Sequence, residues 1–158
     1  MEGSRIGAWI ARILQLISAA VVIGTSIALV RDINTVQAAC KYYDHPKQCN
    51  ALLGRWPSTS RFSTFVGAFG LLDAFLGIAA LLLTREHGFV MLAIDTLAAL
   101  FYFAGGINLA VLYAHEHAHS HRITADVTFH FIGLIATLAA VALVLLLRRS
   151  SGRSVSAI

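Results

Sequence analysis

Four apolar runs, each long enough to cross a lipid bilayer, constrain this sequence more than any motif in it. A membrane helix needs about 20 predominantly apolar residues, because some 30 Å of hydrocarbon is covered at roughly 1.5 Å per residue. The runs extend from Trp9 to Val30, Phe62 to Leu83, Phe89 to Tyr113 and Val127 to Leu147. Composition agrees: 58% of the 158 residues are hydrophobic and 13% charged, against about 45–50% and about 25% in a soluble domain. The first run follows Arg5 and contains Arg12, as a signal peptide might be arranged, but its stretch from Ile13 to Val30 is too long for a signal h-region. The expected fold is an all-α membrane protein, a four-transmembrane-helix antiparallel bundle. Residues 1–8 form an N-terminus, 9–147 the membrane domain and 148–158 a basic tail.

The net charge of +4 does not point to nucleic acid, since the twelve Lys and Arg are scattered over loops and ends rather than gathered on one stripe. An even number of spans places both termini on one side. Arg5, Arg12, Arg85, Arg148, Arg149 and Arg153 then balance Arg31, Lys41, Lys47, Arg55, Arg61 and Arg122, so the positive-inside rule gives a tie. The cysteine pair in the longer loop and Arg148-Arg149 after the last span favour cytoplasmic termini.

In lipid, helices associate through close packing of small residues. The second run carries Gly67, Gly70, Ala74 and Gly77 on one face, and the first carries Ala20, Gly24 and Ala28. Gly105 and Gly106 in the third run, with Ala99 and Ala110, and Gly133, Ala136 and Ala140 in the fourth offer further close approaches. Ionisable groups inside the spans cost about 2.5–3.5 kcal/mol each at mid-helix, so they face protein or water. Arg12 and Asp95 lie three and six residues into their spans, a depth difference of about 4.5 Å that an arginine bridges. That predicts a pair. Asp73, at mid-span with no cation at its level, is expected to be protonated or bonded to Thr64, Tyr102 or Asn108. The competing reading of Asp73 and Asp95 is an ion or proton relay.

Cys40 and Cys49 flank an eight-residue polar segment containing Asp44-His45-Pro46, a turn that brings the sulfurs together in a disulfide; the alternative is two free thiols. Trp9, Trp56 and Tyr113 near span ends suit interfacial anchoring. His115, His117, His119 and His121 alternate through the third loop. Extended, they would share one face; helical, they would form two i, i+4 pairs, and either form offers weak transition-metal binding. A solvated histidine loop is the competing reading. His130, alone in the fourth span, reads as a hydrogen-bonded core residue. No nucleophile elbow, phosphate loop or metalloprotease helix is present, so no enzymatic activity and no required cofactor are expected.

The stretch Met91–Ala110, with Asp95, the Phe101-Tyr102 aromatic pair and Ala104-Gly105-Gly106, resembles the third span of fungal MARVEL-domain proteins. The four-span spacing, the tight second loop and Leu71-Leu72-Asp73 are similar to that family as well. The resemblance implies a non-catalytic membrane organiser in the plasma membrane or secretory pathway. It implies bound lipid or sterol, and association with membrane lipids, with itself as a homo-oligomer or with a larger membrane assembly. Claudin-like junction proteins also space a first-loop cysteine pair by eight residues. They carry Trp-Gly-Leu-Trp before the first cysteine, however, where this chain has Thr35-Val36-Gln37-Ala38-Ala39.

Overall fold

The computed structural model describes residues 2–42, 53–83, 89–116 and 121–153, with side chains described from residue 6 and not at 115–116 or 147–153. These residues form four helices: α1 (Glu2–Tyr42), α2 (Trp56–Leu82), α3 (Phe89–Glu116) and α4 (His121–Arg153). All four are long and apolar enough to cross a membrane. Before α2 the chain turns at Gly54, whose φ of 46° lies in the left-handed region that only glycine enters freely. Pro57 sits in the first turn of α2, where its missing N–H has no intrahelical acceptor to lose.

The helices form a ring in which α1 packs on α2 and α4, and α3 packs on the same two neighbours. Cross-helix contacts fix the directions. Arg12 lies against Gly77 and Ser26 against Ser63, so α1 and α2 are antiparallel. Gln15 bonds Thr137 and Ser26 bonds Asp126, so α4 is antiparallel to α1 as well. The bundle is the expected all-α four-span arrangement.

All four helices overrun their expected spans, α2 by starting at Trp56 and α3 by ending at Glu116, and the overruns of α1 and α4 meet each other. At 41 residues and about 1.5 Å per residue, α1 is roughly twice as long as the hydrocarbon is thick. Its last turns continue past Val30 with exposed Arg31, Asp32, Asn34 and Thr35, while Ile33 stays buried. Helix α4 begins six residues before Val127, and Arg122 in its first turn donates to Asp32 of the α1 extension at 2.9 Å. Hydropathy locates where apolar residues stop, not where the backbone ladder stops, and polar residues with helical propensity extend both helices beyond the lipid.

The core inverts the pattern of a soluble bundle. Large apolar side chains such as Ile13, Leu72, Phe75, Leu100 and Ile135 face outward, whereas polar side chains point in. The interior apolar layers are thin. Val22, Val66 and Tyr102 form one; Leu29, Leu109 and Ile123 form another, nearer the loop end, the end opposite the termini.

Candidate functional site

Two polar clusters fill the interior, separated by the Val22–Val66–Tyr102 layer. The first lies near the end that carries the chain termini. Arg12 of α1 makes a two-pronged contact with Asp95 of α3, Nη1 to Oδ1 and Nη2 to Oδ2, the second at 2.8 Å. Both residues are buried. The fork geometry of guanidinium and carboxylate gives this pair direction as well as charge. It joins α1 and α3, which are diagonal in the ring rather than neighbours.

Gly77 makes the crossing possible. A Cβ there would collide with Nε and Cζ of Arg12, so the guanidinium passes through space left by a missing side chain. Arg12 Nη1 also donates to Gln15 Oε1 at 2.9 Å. Gln15 Nε2 lies 3.1 Å from both Asp73 Oδ2 and Thr137 Oγ1. All four helices therefore contribute to one hydrogen-bonded layer.

Asp73 departs from its sequence expectation. It has a cation nearby, Arg12 Nη1 at 3.9 Å, and its hydrogen-bond partner is Gln15 rather than Thr64, Tyr102 or Asn108. Thr64 bonds the Ser60 carbonyl and Asn108 bonds Thr59 Oγ1 at 3.4 Å. Counting depth by Cα position misplaced the charge, because a long arginine side chain carries it several ångströms from its own Cα.

The second cluster lies toward the loop end. Ser63 Oγ sits 3.2 and 3.1 Å from the two Asp126 carboxylate oxygens, and Ser26 Oγ lies 2.7 Å from Ser63 Oγ and 3.0 Å from Asp126 Oδ2. His130 Nδ1 is 2.8 Å from the Asp126 carbonyl oxygen and 3.3 Å from its Oδ1. A ring nitrogen facing a carbonyl must carry the proton, which makes Nδ1 the donor and leaves Nε2, in the neutral ring, to accept. Ser63 Oγ is 3.4 Å from Nε2.

Serine, histidine and aspartate thus meet, but the geometry gives no nucleophile. Ser63 is buried and directs its hydroxyl at the carboxylate itself. Its surroundings are helical backbone whose N–H groups are engaged in the helix ladder, leaving no donors for a developing oxyanion. The cluster binds helices together.

The glycines of α2 face inward. A Cβ on Gly67 would meet Ile23 Cγ1 of α1 at 2.7 Å, and one on Gly70 would strike the Tyr102 hydroxyl of α3. Gly133 of α4 holds the Tyr102 ring from the other side, where a Cβ would come within 2.6 Å of Cε1. Gly105 faces His130, 2.7 Å from Nε2 on the same construction, and Gly106 faces His130 and Phe131. Ala74 is buried beside Asp73. The first-run stripe is different: Ala20 and Gly24 are exposed and Ala28 is half-buried, and nothing lies within 4 Å of where a Gly24 Cβ would be.

A family model described as a membrane-associating domain, MARVEL, matches residues 5–146, which takes in all four spans and both polar clusters. The chain belongs to the MARVEL family. Comparison with curated proteins and with solved structures returned no match.

In this MARVEL chain the remaining sequence candidates lie at the edges of the described residues. Cys40 is in the last turns of α1, and Cys49 lies outside the described residues. Of the histidine run, His115 is in the final turn of α3 and His121 opens α4, while His117 and His119 lie outside the described residues. Among the described residues no three metal-ligating side chains converge.

Sequence reasoning missed Gln15, Ser18, Ser26, Ser63 and Thr137, and left Asp126 outside the fourth span. Neutral polar residues barely lower a hydropathy window. Their spacing was the available signal: Arg12, Gln15, Ala19, Val22, Ser26, Leu29 and Ile33 recur every three or four residues along α1 and are all buried.

Proposed function

We propose that this MARVEL protein is a non-catalytic membrane organiser, a four-span scaffold that associates laterally with itself, with lipids including sterols, or with a membrane partner. The single observation that carries the reading is the outward face of α1. Ala20 and Gly24 form an exposed small-residue pair with open space at Gly24, whereas Gly67, Gly70, Gly77, Gly105, Gly106 and Gly133 are buried against other helices. Small residues let two helix backbones approach closely in lipid, where no hydrophobic force drives association. Family membership supports the membrane role; the partner, the plasma-membrane or secretory location and the cytoplasmic placement of both termini belong to the proposal.

The experiment compares the native oligomer of the wild type with Gly24→Leu in lipid nanodiscs. Discrete oligomers that fall to monomers in the variant, at an unchanged melting temperature, are expected. A wild-type monomer overturns self-association through α1.

A second reading, transport of an ion or metal, is favoured by the three buried carboxylates, Asp73, Asp95 and Asp126, and by His130. Against it stand the apolar layer between the clusters and the Leu29–Leu109–Ile123 layer beyond the second. A flux assay in liposomes separates the two, since the scaffold reading expects none.

A further inference from the structure

The Arg12 cluster does not balance its charge. It holds two buried carboxylates and one guanidinium, and Arg12 is the only Lys or Arg buried among the described residues. Its guanidinium is committed two-pronged to Asp95, with both carboxylate oxygens accepting N–H groups. That contact leaves Arg12 no second fork for Asp73. Asp73 receives Gln15 Nε2 on Oδ2, and the same oxygen is the one nearest Arg12. Its other oxygen, Oδ1, is buried without a hydrogen-bond partner.

Two hydroxyls on the helices that hold this cluster are unpartnered as well. Ser18 Oγ and Tyr102 Oη are also buried and unbonded. Ser18 lies one helical turn beyond Gln15 on α1. The Tyr102 hydroxyl rests against Gly70, one turn from Asp73 on α2. Buried polar atoms are nearly always partnered, so an unpartnered oxygen on a buried carboxylate in a cluster with one cation and two carboxylates requires a cause.

We propose that this cluster is a proton-binding site: one exchangeable proton is carried on Asp73 Oδ1, while Asp95 keeps its two-pronged contact with Arg12. The proton comes from hydronium of the bulk solvent, whose O–H bond breaks to leave water as an O–H bond forms at Oδ1, and the cluster passes from one net negative charge to none. A carboxylate only accepts hydrogen bonds, and an ionised oxygen buried with no donor is costly, whereas protonation removes its charge. The oxygen that meets N–H donors is the carbonyl oxygen; the oxygen that meets none takes the proton.

The groups facing Asp73 are Arg12 with Gln15 and Ser18 from α1, Asp95 and Tyr102 from α3, and Thr137 from α4. His130 and Asp126 lie two turns or more along α4 from Thr137, in the other cluster. The site stands independently of lateral association, because every group in it belongs to one copy of the chain.

The test is infrared spectroscopy of the full chain in lipid nanodiscs at neutral pH, in water and in deuterium oxide, with thermal melting of the same samples. The expected wild-type spectrum contains a carboxylic-acid carbonyl band that shifts on deuteration and disappears in Asp73→Asn. An amide reproduces the donor and acceptor of the protonated acid, so Asp73→Asn is expected to melt with the wild type while Asp95→Asn melts well below both. Absence of the band from the wild type, or its survival in Asp73→Asn, overturns the assignment. So does an Asp73→Asn variant that loses as much melting temperature as Asp95→Asn. A rise in wild-type melting temperature with Na+ at fixed ionic strength, abolished by Asp73→Asn, would place an alkali cation there and equally overturn the proton.

Discussion

Arg12 is the side chain whose surroundings are most fully specified. It is buried among α1, α2 and α3, bonded to Asp95 and Gln15, and lodged in the gap at Gly77. Removing one member of such a pair leaves the other charged and desolvated, a loss of about 3–5 kcal/mol. Arg12→Gln and Asp95→Asn are each expected to destabilise by that order. The double variant should lose much less than the sum, with a coupling of about 1–3 kcal/mol in a double-mutant cycle of unfolding free energies. Additive losses would show that the two side chains do not meet. In the second cluster, Ser63→Ala withdraws a hydroxyl that touches Asp126 and leaves the carboxylate short of a partner, which costs about 1–3 kcal/mol. Ser26→Ala in the same protein should then cost at least as much again, because it takes the remaining hydroxyl from the same carboxylate. Melting of the two single variants and the double variant checks this.

Along each helix the inner face alternates small, polar and occasional large residues, so that Tyr102 lies between Gly70 and Gly133. Gly70→Leu places a branched side chain where the tyrosine hydroxyl sits, and overpacking of this kind costs about 1–3 kcal/mol or more. Ala79→Leu adds similar bulk to an exposed position of the same helix and is expected to change the melting temperature little. Equal effects would mean that hydrophobic mass, not position, decides.

The helices themselves were legible in the sequence because uninterrupted apolar runs have few other outcomes, and the α2 glycine face was legible from its spacing. The Arg12–Asp95 contact could be reasoned from depth because both residues are charged. Their setting could not, since Gln15 and Thr137 look unremarkable in a hydropathy profile. The position of Asp126 at the margin of an apolar run hid the second cluster. Which small-residue stripe faces lipid was equally hidden: Gly24 and Gly70 look alike until the neighbouring helices are in place.

For the whole molecule, polar groups are joined inside one copy and large apolar side chains face outward. The α1 extension projects beyond the expected span and carries Cys40 near its end. The proposed bond from Cys40 to Cys49 would tie the following loop back to this helix. Treatment of intact cells with an impermeant maleimide should label neither cysteine before reduction and both after it; labelling of both without reduction would rule out the bond. The most direct measurement of the account as a whole is native mass spectrometry of the chain released from lipid nanodiscs, for the wild type, Gly24→Leu and Gly70→Leu. The account predicts a discrete wild-type oligomer retaining lipid, a folded monomer for Gly24→Leu, and a destabilised protomer for Gly70→Leu. A wild type that is monomeric and free of lipid, or a Gly24→Leu oligomer indistinguishable from it, would contradict lateral organisation through α1.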